Sequence, residues 1–496
     1  MNYSIIFRLL SIMLTAMGLA FALSAGVAWL YANEGREGGA IFGFGVSVGV
    51  AWILALLAYL CSFKAKLHLL RKEAMCSIGL GWLVASMIGA IPYALILDCS
   101  LADALFESSS GLTTTGATVL SGLDELPRSL LFWRAISQWI GALGIVAFFV
   151  ILLPFVGGDA KVLFTNESTV EVQDLQSSRV RGGVLQLIYL YLGLSLLAFL
   201  AFRLCGMTWY EAICHMFTTV ATGGFSLYDE SVAYFNSPLI EWVFIVFMLA
   251  GAMNFLVLLH LLKGNGRPLY RNTETRFFYT MVLGSTLLIT ALVWQQDIAS
   301  TGTESNSLWA SLRLSFFQVV SITTTSGFAT TDFDVWPQWT HFLLLALMII
   351  GGSSGSTAGG LKVIRLAVAV KVIRVAIEGA FRNHVIRLIK VNGRQLSDAA
   401  KESILVYIVL IAIISHLSLL ILAGLEPELS FKGLYSASIA MLNNIGPGLQ
   451  EVGPSQTYAG FKDVTKYFFS LLMIMGRLEF YVILVLFLPS LWKRFK

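Results

Sequence analysis

Thr113-Thr114-Thr115-Gly116-Ala117-Thr118 is the stretch that decides the fold, because versions of it return three times. They are Val220-Ala221-Thr222-Gly223-Gly224-Phe225, Thr324-Thr325-Ser326-Gly327-Phe328-Ala329 and Asn443-Asn444-Ile445-Gly446-Pro447-Gly448. With Gly116, Gly223, Gly327 and Gly446 taken as equivalent, the intervals are 107, 104 and 119 residues. A period of roughly 110 residues is far too long for a solenoid repeat. The spacing implies one larger unit used four times.

Composition fixes the medium. With 57% hydrophobic residues, 12% charged and a mean hydropathy of +0.78, the chain is an integral membrane protein and not a soluble globule. About 20 apolar residues cross a bilayer as a helix. Ten stretches qualify: 9–33, 38–63, 74–97, 135–157, 184–202, 242–262, 277–296, 341–361, 403–425 and 467–491. The first is longer than the apolar core of a secretory signal and reads as a retained helix. The five cysteines have no CxxC spacing, which argues against a metal site or a disulfide framework. With the N-terminus cytoplasmic, Arg8, the loops 63–74, 157–183, 263–276 and 362–402 and the C-terminal tail hold 24 of the 33 Lys+Arg. The positive-inside rule then places both termini in the cytoplasm.

After two leading helices in 1–70, four units follow: 71–160, 161–265, 266–395 and 396–496. Each reads as a span, a short semi-polar segment, a glycine loop and a second span. The short segments, 102–113, 209–220, 308–323 and 431–442, cannot cross and read as pore helices. Two spans separate successive loops, so all four open to the same, outer face. The predicted fold class is an all-α polytopic membrane protein: four pseudo-symmetric helix–pore loop–helix repeats around a central pore, plus two N-terminal transmembrane helices. Non-helical backbone at membrane depth is tolerated where it is buried in protein or lines a water-filled path.

A ring of backbone carbonyls can replace the hydration shell of K⁺. Glycine permits the backbone angles required and keeps side chains out of the path. The candidate ion-binding residues are Thr114, Thr115 and Gly116; Ala221, Thr222 and Gly223; Thr325, Ser326 and Gly327; and Asn444, Ile445 and Gly446. Thr115, Thr222 and Ser326 brace the loops through their hydroxyls, and the pore-helix C-termini direct partial negative charge at the site. A single such loop reads equally as a surface turn; four aligned between a short helix and a span do not. Asp103, Glu107, Asp124, Glu125, Asp229, Glu230, Asp332 and Asp334 flank the loops, where they either concentrate cations or are ordinary solvated charge.

These four loops, with Gly351 to Arg365 (GGSSGSTAGGLKVIR), resemble the TrkH/TrkG family, the membrane subunits of bacterial Trk potassium uptake systems, over essentially the whole chain. The two extra N-terminal spans are similar to the Trk branch and not to the shorter KtrB chains. The resemblance implies K⁺ as the transported ion and residence in the bacterial cytoplasmic membrane. It also implies a homodimer and a separate nucleotide-binding cytoplasmic ring resembling TrkA. In the relatives a serine in place of the first filter glycine goes with sodium; here that position is Gly116. The fourth loop departs most, with Asn444 and Ile445.

Gly351, Gly352, Ser353, Ser354, Gly355, Ser356, Thr357, Ala358, Gly359 and Gly360 interrupt the eighth stretch, beginning roughly 15 Å below the outer surface at 1.5 Å per residue. A phosphate cradle is disfavoured because Leu361 precedes Lys362. A packing kink remains open, while the resemblance implies a gating loop. Arg477 lies within the tenth stretch at similar depth. An intramembrane arginine faces a cavity or a partner, so an ion pair and a charge in the path both stay open; the resemblance implies the latter. Glu479, two residues on, points to another helix face. Lys362 to Lys401, with nine Lys+Arg, is a basic cytoplasmic segment suited to anionic lipid or a protein partner. Nothing points to nucleic acid or to bound nucleotide in this chain. Secondary transport of K⁺ or Na⁺ with H⁺ is the alternative, weakened by scarce intramembrane carboxylates. An intramembrane hydrolase has neither HExxH nor GxSxG to support it.

Overall fold

The computed structural model describes residues 3–62, 71–152, 177–295, 307–382 and 388–492. The expected loop segments 63–70 and 157–176, the end of the fourth stretch at 153–157, residues 383–387 of the basic segment and the tail 493–496 lie outside the described residues. Two apolar helices lead, α1 (Tyr3–Leu30) and α2 (Ala40–Cys61). The first unit contains α3 (Arg71–Gly89), its continuation α4 (Ile91–Leu97), the short α5 (Leu101–Leu112) and α6 (Arg128–Leu152). The second contains α7 (Ser177–Leu204), short α8 (Trp209–Val220), α9 (Pro238–Ala252) and α10 (Phe255–Leu262). The third contains α11 (Thr273–Gln295), α12 (Leu308–Thr323), α13 (Gln338–Ile350) and α14 (Val363–Phe381). The fourth contains α15 (Asp398–Leu425), α16 (Phe431–Asn443), α17 (Asp463–Arg477) and α18 (Tyr481–Leu486).

The four short helices are specified locally at both ends. Ser100, Thr208, Ser307 and Ser430 are their N-caps, each accepting the amide three residues on, with Thr208 and Glu211 forming a complete capping box. At 12 to 16 residues they are roughly 18–24 Å long, short of the roughly 30 Å hydrocarbon core. Their polar faces turn inward, so Ser108, Ser109, Ser110, Thr218, Thr219, Ser321 and Ser438 are buried.

Among the described residues six helices are long and apolar enough to span, or seven if the pair α9–α10 counts as one. The second helices of three units break, two of them where an uninterrupted span was expected. The α9–α10 pair bends by 108° around Met253 and Asn254. The α13–α14 pair opens at Gly351, as its glycine run implied. The α17–α18 pair is interrupted at Leu478 to Phe480, with Glu479 and Phe480 both at positive φ. In the first unit α6 runs through without a break.

Ion pairs stitch three seams between units. Arg313 of α12 meets Glu241 of α9 at 3.5 Å, Lys432 of α16 meets Asp334 at 3.0 Å, and Lys466 of α17 meets Asp103 of α5 at 2.6 Å. Helices α1 and α2 pack together outside the units, with α1 against α3 and α6 and Phe21 against Trp133 at 4.5 Å between ring centres.

A Cβ at Gly476 would fall 2.1 Å from the Leu442 carbonyl, backbone that cannot swing aside. Gly476→Ala is therefore expected to destabilise the fold by about 1–3 kcal/mol, lowering the thermal midpoint in detergent. Gly424→Ala, in open space on α15, serves as the control and shifts it upward or not at all.

Candidate functional site

Each short helix ends in the same way. The residue after its last turn is left-handed: Thr114 (φ 55°), Thr222 (52°), Thr325 (56°) and Asn444 (57°). The amide of the next residue reaches back five positions: Thr115 to Ser110, Gly223 to Thr218, Ser326 to Ser321 and Ile445 to Ala440, at 2.8–2.9 Å. This is the Schellman-type termination, here without the usual glycine. Threonine in that conformation is strained, and in the fourth loop asparagine takes it more readily.

This shared geometry corrects the register read from sequence. Gly116, Gly224 and Gly327, at φ 80°, 83° and 81°, occupy one structural position. The second-loop counterpart of Gly116 is thus Gly224, and Gly223 corresponds to Thr115 and Ser326. Gly446 is the fourth member but lacks positive φ; it precedes Pro447, which favours extended backbone at that residue.

The four loops close on one another backbone to backbone. A Cβ on Gly116 would lie 2.1 Å from the Gly223 carbonyl, and one on Gly224 would lie 1.9 Å from that of Ser326. One on Gly327 would meet Pro447 Cδ at 2.9 Å and the Gly446 nitrogen at 3.1 Å, and one on Gly446 would meet the Gly116 carbonyl at 2.6 Å. The contacts run from unit one to two, three, four and back to one. Above this ring a cavity of about 200 Å³ touches Gly116, Gly224, Gly327 and Gly446.

Hydroxyl pairs brace the loops, Thr113 with Thr115 at 2.7 Å and Thr324 with Ser326 at 2.9 Å. Asn444 Nδ2 donates to Thr115 Oγ1 at 3.1 Å and to the Met473 carbonyl at 2.8 Å, tying the fourth unit to the first. Ile445 is fully buried and Ala221 is a helix cap, so their side chains supply packing and not oxygen.

The glycine-rich stretch lies directly against this assembly. Thr357 Oγ1 is 3.2 Å from the Val220 carbonyl, 2.9 Å from that of Gly251 and 3.2 Å from Thr222 Oγ1. The Gly359 amide donates to Thr325 Oγ1 at 2.7 Å, and Arg477 Nη1 donates to the Thr357 carbonyl at 2.7 Å. The amides of Ser353 and Thr357 satisfy the Ala252 and Gly251 carbonyls freed by the break in α9, and Phe255 N donates to the Gly355 carbonyl. Ser354 N donates to Glu274 at 2.6 Å and Ser356 Oγ to the Ser353 carbonyl at 2.6 Å. Gly351, Gly352, Ala358 and Gly360 fold this strap back on itself: the Gly352 carbonyl accepts from Val363 N, a Cβ on Gly351 would lie 2.8 Å from Gly360 Cα, and one on Gly352 would lie 2.5 Å from Ala358 Cβ.

Arg477 is 4% exposed, and its Nε and Nη2 find no hydrogen-bond partner among the described residues. Glu479 instead binds Arg365 at 2.5 Å, and Arg365 lies 4.0 Å over the Tyr407 ring.

The flanking acids are mostly engaged. Asp103 and Asp334 are in the seam ion pairs, and Asp229 accepts the Gly122 amide at 3.0 Å. Glu107 is wholly buried and bound to Arg134 at 2.8 Å, so it is no free charge at the mouth. Beyond Lys432, burial raises the Glu451 carboxyl, but hydrogen bonds from its own backbone and from Ser430 outweigh this and hold it below its ordinary value.

Sequence reasoning missed Arg134 and Gln138. Gln138 Nε2 donates to the Gly223 carbonyl at 2.7 Å, and its Oε1 accepts from Phe225 N at 3.3 Å. Their signal was a polar pair four residues apart, on one helix face, at the start of an apolar run.

Four re-entrant helices closed into a ring inside a bundle of apolar spans define a polytopic membrane transport protein. The model of the TrkH family, described as cation transport protein, matches residues 52–494. The chain belongs to that family. It is 34% identical to the Trk system potassium uptake protein TrkH of Vibrio parahaemolyticus, across 99% of this chain and 100% of that one. Its identity to the protein of the same name from Salmonella typhimurium is 35%, across 87% and 88%. The crystal structure of the potassium transporter TrkH from Vibrio parahaemolyticus aligns at a TM-score of 0.88 and 32% identity, covering 99% of this chain and 100% of that chain.

The shifted register makes Gly224 less replaceable than Gly223. Gly224→Ala drives a Cβ into backbone from a left-handed position, whereas Gly223→Ala meets the end of the Gln138 side chain. In proteoliposomes Gly224→Ala is expected to cut cation flux by about tenfold more than Gly223→Ala, matching roughly 1–3 kcal/mol of overpacking. Equal losses would restore the register read from sequence.

Proposed function

We propose that this chain takes up K⁺ across the bacterial cytoplasmic membrane through a gated, channel-like pore whose selectivity filter is the four-loop ring. The observation that carries this reading is the closed circuit of backbone contacts through Gly116, Gly224, Gly327 and Gly446. Carbonyl-bearing loops held this closely can take the place of an ion's hydration shell. The C-terminal ends of α5, α8, α12 and α16 bring partial negative charge to the same place, which favours a cation. The ion-binding positions are Thr114, Thr115 and Gly116, with Thr222, Gly223 and Gly224, then Thr325, Ser326 and Gly327, and last Asn444, Ile445 and Gly446.

Residues 351–360 are the gate on this reading. Their hydrogen bonds to Thr222, Thr325 and Arg477 join units two, three and four beneath the ring. Arg477 adds positive charge without an acid partner among the described residues. The names of the relatives support K⁺ as the cargo and a place in a Trk system. A homodimer, a nucleotide-binding cytoplasmic partner resembling TrkA and cytoplasmic termini complete the assignment. Nucleotide effects on flux should then vanish when the partner is withheld.

The test is passive flux into proteoliposomes containing this chain alone, with K⁺, Rb⁺, Na⁺ and Li⁺ compared with and without a pH gradient. Flux favouring K⁺ and Rb⁺ is expected; uptake strictly dependent on the pH gradient would put H⁺-coupled transport in its place. Arg477→Ala should raise K⁺ flux by about tenfold, the effect of removing one unit charge at roughly 10 Å in a medium of effective dielectric near 20. Unchanged flux through folded Arg477→Ala protein would remove that residue from the pathway.

A further inference from the structure

Seven residues before the left-handed turn of each short helix stand Glu107, His215, Gln318 and Ala437, one equivalent position in four chemistries. The first three each face a hydroxyl on the segment leaving their own loop. Thr118 Oγ1 donates to Glu107 at 2.9 Å, His215 Nε2 is 3.3 Å from Ser226 Oγ, and Gln318 Nε2 is 3.5 Å from Thr330 Oγ1. Ala437 carries no polar atom, and in the fourth unit its neighbour Ser436 makes the equivalent bond, its Oγ accepting from Leu449 N at 2.9 Å. The bonds run behind the ring, from the shaft of the helix to the segment just past its end.

The first position is reinforced beyond the others. Glu107 also accepts the Val119 amide at 3.1 Å and Arg134 Nε at 2.8 Å, with both side chains at most 2% exposed. Arg134 reaches on: Nη2 donates to Thr118 Oγ1 at 3.1 Å, Nη1 donates to the Ser226 carbonyl at 3.2 Å, and the guanidinium lies 4.0 Å from the centre of the Phe225 ring. One turn further along α6, Gln138 holds the Gly223 carbonyl and the Phe225 amide. A polar network thus runs unbroken from the first loop to the second.

Building on the four-loop ring as the filter, we propose that Glu107 and Arg134 are positioning residues that fix the first and second loops and so set the discrimination between K⁺ and Na⁺. A buried pair is costly to desolvate, and well-packed apolar residues replace one at little loss of stability. Geometry is what a fully satisfied network does supply. The side of the ring between units one and two carries this charged clamp, whereas the fourth unit is held by neutral bonds, Leu449 N to Ser436 Oγ at 2.9 Å and Tyr458 OH to the Gly446 carbonyl at 3.1 Å.

The experiment is the Na⁺/K⁺ permeability ratio of reconstituted protein, read beside the thermal midpoint. E107Q/R134M removes both charges at similar volume and avoids an uncompensated buried ion. T118V leaves the pair intact and deletes the hydroxyl it holds. Both are expected to raise the ratio by about tenfold, the order of effect that a slightly misplaced site produces. E241Q/R313M, at a buried pair remote from the ring, is expected to change the midpoint and leave the ratio alone. An unchanged ratio in folded E107Q/R134M and T118V overturns the proposal, as does an equal rise in E241Q/R313M. Wild-type protein that passes cations without discrimination defeats the filter reading itself, before any substitution is compared.

Discussion

Backbone against backbone at the four-loop ring is the constraint on which the rest of the structure depends. Peptide groups withdrawn from water must be satisfied, and in a membrane only protein or an enclosed aqueous path can satisfy them. The left-handed turns at Thr114, Thr222, Thr325 and Asn444 reverse the chain so that loop follows helix without a long connection. Their strain is held by capped helices on one side and by the neighbouring loop on the other. A Cβ at any of the four ring glycines would displace the next unit's backbone or proline ring, so the circuit cannot loosen at one point without disturbing the adjoining unit.

The breaks in the second helices follow from the same accounting. Where α9 stops, the Gly251 and Ala252 carbonyls have no amide of their own helix, and the amides of Thr357 and Ser353 take them. The strap in turn gives the Gly355 carbonyl to Phe255 N, the first amide of α10. Two interrupted helices thus satisfy each other, and neither interruption is stable alone. That reciprocity positions Thr357 under Thr222 and brings Gly359 to Thr325, so the strap is read out by the undersides of two loops at once.

Much of this was legible in the sequence, and what was not has identifiable causes. The four loops, their short helices and the break at Gly351 are written in local residue types: Ser or Thr caps, glycines and apolar spans. The second loop's register was not, because Gly223-Gly224 offers two candidates and only the backbone angles distinguish them. The bend at Met253 and Asn254 has only faint local marks, Gly251 just before it and Asn254 capping the Leu256 amide, and it is completed by residues 353–357, a hundred positions away, which supply its other hydrogen bonds. Glu107 looked like a mouth acid because its partner, Arg134, sits in a different helix. The departure of Asn444 and Ile445 has a local reason: asparagine tolerates the left-handed turn and its amide crosses to Thr115.

The division of labour beneath the ring can be argued from magnitudes. A lone guanidinium roughly 10 Å from a permeating cation opposes it by about 1–2 kcal/mol at an effective dielectric near 20. That slows passage by about an order of magnitude and seals nothing. The strap is held to the ring and its helices through Thr357, Gly359, Ser353 and the Arg477 contact to the Thr357 carbonyl. At about 0.5–1.5 kcal/mol each, these bonds together amount to a few kcal/mol, more than Arg477 opposes by charge alone. On the proposed gating reading, steric closure by residues 351–360 is therefore the larger barrier, and Arg477 would act twice: as a positive charge in the path and, by its bond to the Thr357 carbonyl, as one of the donors that keeps the strap in place. On that reading, opening the path takes free energy on the scale of several hydrogen bonds.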